Sequence, residues 1–225
     1  MLNKIEITRR HLLLSAAVTT GLSVAGLSLT AAAPEAFAKK PKGITLSPED
    51  QKDVDRIEDY LNGLTSVEAR FQQYAPNQGL AFGKIYLRRP GRLRVDYDPP
   101  SKVLLVADGI ALSYYDAELN NLSQVPLYLS PMWFLLKDKV KLGGDVTITS
   151  FQRAPGAFQI GLVQTDEPDA GSVLLEFGDR PLELRQWTIT DNKNQEIRVA
   201  LYDAQFGVQL ANELFATPQK KSKRN

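Results

Sequence analysis

The chain has 225 residues, with 27 Lys and Arg against 26 Asp and Glu, no cysteine and a single histidine, His11. Near-neutrality argues against a nucleic-acid partner. His11 falls inside an export signal, so the rest has neither His nor Cys, which excludes a Ser-His-Asp triad, a Cys nucleophile and the usual zinc ligands, and points to binding or transport.

The first element is an address. Thr8 to Leu14 (TRRHLLL) sets two arginines before the apolar run Leu12 to Ala33, and Ala36-Phe37-Ala38 forms a small-x-small cleavage site. Twin arginines suggest Tat export of residues 1–38 rather than the Sec route. Cleavage removes Lys4, Arg9, Arg10, Glu6 and Glu35 and leaves 24 charges of each sign. No later run reaches the roughly 18 apolar residues of a spanning helix. Residues 39–46 read as a basic, disordered lead-in. Ser47-Pro48-Glu49-Asp50 predicts a helix start, with Ser47 as cap and Asp50 as the capping-box acid; Val54, Ile57, Leu61 and Leu64 supply its apolar stripe.

From Val67 the period becomes two. Strands are predicted near 67–72, 79–89, 92–98, 102–107, 111–116, 119–125, 144–153, 157–164, 172–178, 182–190 and 195–202. Short Pro-Gly, Asp-Gly and Asp-Asn turns between them imply an antiparallel meander, and about eleven strands in one domain imply a curled sheet or incomplete barrel. One segment breaks the alternation. Val125 to Lys139 (VPLYLSPMWFLLKDK) predicts an apolar helix of about two turns, capped by Ser130 and carrying Met132, Trp133, Leu135 and Leu136. The residues alone leave it either a core plug or a lid over a cavity. Gln219 to Asn225 (QKKSKRN) reads as a disordered basic tail.

Side chains two apart share a strand face. Leu93, Val95 and Tyr97 therefore share one face and Arg92, Arg94, Asp96 and Asp98 the other, a solvated, salt-bridged exterior. A rival use of Asp96 and Asp98 as a glycosidase pair conflicts with so many neighbouring arginines. Arg89 falls with Ile85 and Leu87 on the apolar face. It either binds main-chain oxygens of whatever covers that face or sits at the turn with its head in water.

In order, ARFQQ (Ala69 to Gln73), GKIYLRRPGRLRVDYDPP (Gly83 to Pro100), LLVADGIALSYYD (Leu104 to Asp116) and SPMWFLL (Ser130 to Leu136), with a looser ELFATP (Glu213 to Pro218), resemble the periplasmic outer-membrane lipoprotein carriers of the LolA family. The resemblance implies a mainly β domain over 47–218, an incomplete antiparallel β-barrel of about eleven strands with an N-terminal helix and a short lid helix. It implies that Arg89 latches the lid through helix backbone oxygens. It also implies an apolar cavity for acyl chains, placed here at Phe71, Leu87, Leu93, Val95, Tyr97, Met132, Trp133, Leu135 and Leu136. Leu93 stands where the family often has an aromatic, and a Tat signal departs from its usual Sec route. The implied partners are acylated lipoproteins, an inner-membrane ABC transporter and an outer-membrane lipoprotein receptor, met by a monomer in the periplasm. No cofactor, metal or enzymatic step is expected. The related lipid sensor RseB shares the fold, so a carrier or sensor for another lipid stays open.

Overall fold

The computed structural model describes residues 41–219. The export signal expected over 1–38 and the tail expected over 219–225 lie outside these residues, Gln219 excepted. Helix α1 (Pro48–Gly63) starts as its sequence requires: Ser47 Oγ accepts the Asp50 N–H at 3.0 Å and donates to the Asp50 carboxylate at 2.7 Å, with Pro48 at the first position. Val54, Ile57 and Leu61 form its buried stripe. Of the lead-in expected to be disordered over 39–46, residues 39 and 40 lie outside the described residues, and 41–46 depart from that expectation. Ile44 N donates to Ile148 O at 3.0 Å while its side chain stays exposed, and Leu46, an apolar side chain, packs on the core.

Eleven antiparallel strands follow: β1 (Ser66–Ala75), β2 (Gly79–Arg88), β3 (Arg92–Tyr97), β4 (Val103–Asp108), β5 (Ala111–Asp116), β6 (Asn121–Pro126), β7 (Val146–Ala154), β8 (Ala157–Gln164), β9 (Gly171–Gly178), β10 (Glu183–Asp191) and β11 (Glu196–Phe206). They form one sheet in the order β6-β5-β4-β3-β2-β1-β11-β10-β9-β8-β7. Two meanders are thus joined at their middle by the β1–β11 pair, and the sheet is unclosed between β6 and β7. This is the expected mainly β fold. Among the described residues no helix is long and apolar enough to cross a membrane.

Two apolar clusters cover the inner face. Helix α1 lays Val54, Ile57 and Leu61 on Phe158, Ile160, Leu162, Val173, Leu175 and Phe177 of β8 and β9. The connection between β6 and β7 sets Leu127 and Leu136 on Ala107, with Leu87, Leu93 and Leu112 beside them. Trp133 packs against both clusters. Each fully buried Leu, Ile or Phe of this kind contributes roughly 1.5–3 kcal/mol.

Candidate functional site

Arg89 leaves the end of β2 on the inner face, the parity its sequence position requires. Its Nε donates to Leu135 O at 2.7 Å, and a terminal NH donates to Leu61 O in the last turn of α1. Helix α1 has no basic residue in its own last turn, so Arg89 supplies the cation that favours its carbonyl end. The backbone completes the grip: Arg89 N donates to Thr65 O at 2.9 Å and Gly91 N to Leu136 O at 2.7 Å. Burial moves the Arg89 pKa below the ordinary arginine value, yet an arginine stays charged at physiological pH. Of the two readings left open above, backbone binding is the one the geometry realises.

The expected two-turn lid helix is not formed. Residues 127–136 instead make two short 3-10 turns, Leu127–Leu129 and Trp133–Leu136. Ser130 does not cap by its side chain; its carbonyl accepts Trp133 N at 3.0 Å. The physical reason lies in the partners. Trp133 N, Leu135 N and Lys137 N take the carbonyls three residues back, those of Ser130, Met132 and Phe134, while Leu135 O and Leu136 O, held by Arg89 and Gly91, anchor the end of the second turn. A 3-10 turn also buries Phe134, Leu135 and Leu136 in succession, against core on more than one side.

The nine expected cavity residues do not form one group. Strand register draws an apolar inner row, Val67–Leu87–Leu93–Ala107–Leu112–Val125, from β1 to β6. Leu87, Leu93, Trp133 and Leu136 meet on it. Val95 lies in the next row, paired with Ile85 and Leu105. Met132 and Leu135 belong to the α1 side. Phe71 and Tyr97 meet edge-to-face, with centroids 5.3 Å apart, over Gly83, which pairs with both. A Cβ on Gly83 would lie 2.6 Å from the Phe71 ring. Tyr97 also donates its hydroxyl to Gln73 at 2.8 Å. Two surface clefts, of about 270 and 540 Å³, are lined by none of the nine.

On the outer face the expectation of a merely solvated exterior is corrected. Residues 207–218 lie across β2–β4 as a strap. Arg88 donates to Leu210 O and Asn212 Oδ1, and its guanidinium lies 5.0 Å from the Phe215 ring centroid. Arg94 donates to Leu214 O at 3.1 Å and to Asp96 at 2.8 Å. Phe215 of the strap and Val106 of β4 are both buried. Strap carbonyls separated from these arginines by more than a hundred residues leave no local pattern to read. The ELFATP resemblance was the one signal. Asp98 pairs with Arg70, whose hydrogen bonds, chiefly, hold its carboxyl below the usual carboxylate range. A general acid needs a shift in the opposite direction, so Asp98 is not poised as one, and Asp96 is bonded to Arg94.

A family profile described as "Outer membrane lipoprotein carrier protein LolA" matches residues 62–218, a span that contains β1 to β11, Arg89, the 3-10 turns and the strap. The chain belongs to the LolA family. An outer-membrane lipoprotein carrier protein of Methylococcus capsulatus is 27% identical over 169 residues, 71% of this chain and 80% of that protein. Another, of Methylobacillus flagellatus, is 26% identical over 72% of this chain and 82% of its own length. A LolA superfamily protein of Nitrosomonas europaea, solved by crystallography, superposes with a TM-score of 0.42 at 10% identity, over 73% of this chain and 97% of its own. This LolA-family chain has a lipid-carrier fold.

Proposed function

We propose that this LolA-family protein is a periplasmic carrier that shields lipoprotein acyl chains and passes them from the inner to the outer membrane. The observation that carries the reading is the double grip of Arg89 on Leu61 O and Leu135 O, a polar latch between α1 and the 127–136 segment above an apolar face. Leu87, Leu93 and Trp133 already pack against the cluster that holds Leu136, so loading requires the segment to swing away and the acyl chains to take its place. Phe71, Val95 and Tyr97 line the same inner face, and Met132 and Leu135 move with the lid.

The energetics favour such a device. Each acyl methylene transferred from water gains about 0.8 kcal/mol, so a multiply acylated anchor neither fits a small surface patch nor leaves through water. Delivery then needs direct contact with a donor, the expected ABC transporter, and an acceptor, the expected outer-membrane receptor. Export fits the signal at residues 1–38. No cofactor or catalytic step enters. The test is native mass spectrometry of the protein isolated from its own periplasm, with an acyl-probe titration of Leu136→Glu. A bound mass matching acylated lipoprotein, and lost probe uptake in a folded variant, are expected. A bound mass of a different lipid, or collapse of the whole sheet in the variant, overturns the reading.

A further inference from the structure

Strand β6 is an edge of an unusual kind. It is one of the two terminal strands of the sheet. The other, β7, receives Ile44 N at Ile148 O, whereas β6 is solvent-exposed at every position but Leu122. Edge strands are ordinarily protected by charges, above all lysine. Here the chain holds no charged residue from Leu119 to Leu136; Pro126 alone blunts the strand, and only at its end. The register of β5 and β6, with Leu127 N donating to Ile110 O, follows one alternation. By it Asn121, Ser123 and Val125 spend their backbone groups on β5, and Leu122 and Gln124 turn theirs outward.

The apolar inner row ends at this edge. It runs Leu87–Leu93–Ala107–Leu112–Val125, and Val125 is 45% exposed where the row meets solvent. Acyl chains lying on that row would lead the polypeptide joined to them out over Val125, alongside the free groups of β6. We infer that β6 is a cargo-recognition edge: it pairs by strand addition with the extended, uncharged segment that follows the acylated residue of a lipoprotein. This rests on the carrier reading and adds the peptide part of the cargo to it. An uncharged edge favours an uncharged strand, because the stretch from Leu119 to Leu136 offers no counter-ion to a charged one.

The test uses residues 39–225, the chain that the expected cleavage leaves, within which all eleven strands lie. Three probes are compared: palmitate, a palmitoylated Cys-Ser-Thr-Ser-Thr-Ser peptide, and the same lipopeptide with proline at alternate positions. The expected result is that the first lipopeptide binds about tenfold more tightly than its proline counterpart, as two or three backbone hydrogen bonds allow. The difference disappears in Gln124→Pro, an edge position that tolerates the loss of an N–H. In the unaltered protein the Leu122 and Gln124 amides gain exchange protection with the first lipopeptide only. Equal affinity of both lipopeptides, or no added protection, overturns the inference even if palmitate binds. Absence of palmitate uptake overturns the carrier reading instead. Dimerisation of the free protein, abolished by Gln124→Pro, would make a second copy the occupant and overturn the inference as well.

Discussion

Arg88 and Arg89 are consecutive residues that fasten opposite sides of one strand end. Arg88 holds the C-terminal strap on the outer face through Leu210 O and Asn212, while Arg89 holds α1 and the 3-10 turn on the inner face through Leu61 O and Leu135 O. Side chains that alternate across a strand make this possible. The strand's end is thereby tied to three distant segments without an ion pair at either arginine among the described residues.

Arg89→Leu leaves Leu61 O and Leu135 O without their cationic donor. Hydrogen bonds to charged groups contribute about 1.5–3 kcal/mol each, enough to shift lid opening at least tenfold. The variant is expected to fold and load, and to exchange the Leu135 and Lys137 amides, now bonded to Met132 O and Phe134 O, at least tenfold faster. Leucine also adds apolar surface facing the acyl chains, so delivery of a labelled lipoprotein to acceptor membranes should slow. Arg89→Lys should fall between, since an ammonium loses the planar fork. Unchanged exchange and delivery in both variants would remove the latch.

Gly83→Ala drives a methyl into the Phe71 ring and the β3 backbone. Overpacking of this kind costs about 1–3 kcal/mol, which should lower the melting temperature by several degrees. Gly63→Ala meets no atom within 4 Å and serves as the control. A Gly83 variant as stable as that control would show that Phe71 and Tyr97 are free to move apart.

Asp108 receives the N–H groups of Ala111 and Ile110 and the Thr217 hydroxyl, and the Ala111 bond above all holds its carboxyl below the usual range. A depressed pKa in the folded state means that the unfolded chain takes up the proton more readily. The contribution is therefore present above the unfolded value, near pH 4, and is lost as pH falls through the folded value. Asp108→Asn should cost about 1 kcal/mol at neutral pH. The gap from the unaltered protein should close in acid, read by denaturant titration at both pH values. A pH-independent gap would assign the effect to packing.

Phe215→Ala empties a site of the strap that is 2% exposed and should cost about 3–5 kcal/mol, detected by thermal unfolding. Deleting residues 219–225 should leave the melting temperature unchanged. A stable Phe215→Ala variant, or an unstable truncation, would reverse the assignment of which part of the C-terminus is structural.

The strands, the α1 cap and the parity of Arg89, Leu93, Val95 and Tyr97 were legible in the chain because each rests on neighbours within a few residues: a period of two, a turn at Pro90-Gly91, a Ser-Pro start. Local chemistry also confined Arg89 to the apolar face. What it could not say was which oxygens would meet the guanidinium, since Leu61 and Leu135 carbonyls look like any others until the sheet curls and brings both above β2. The same holds for residues 127–136, whose sequence favours a helix but which fold as two 3-10 turns packed on both clusters, and for Arg88 and Arg94, whose exposed pattern conceals a strap more than a hundred residues away. Secondary structure here follows from side-chain spacing. The site follows from hydrogen bonds to backbone, and the backbone carries no sequence label, so only the tertiary structure could choose its partners.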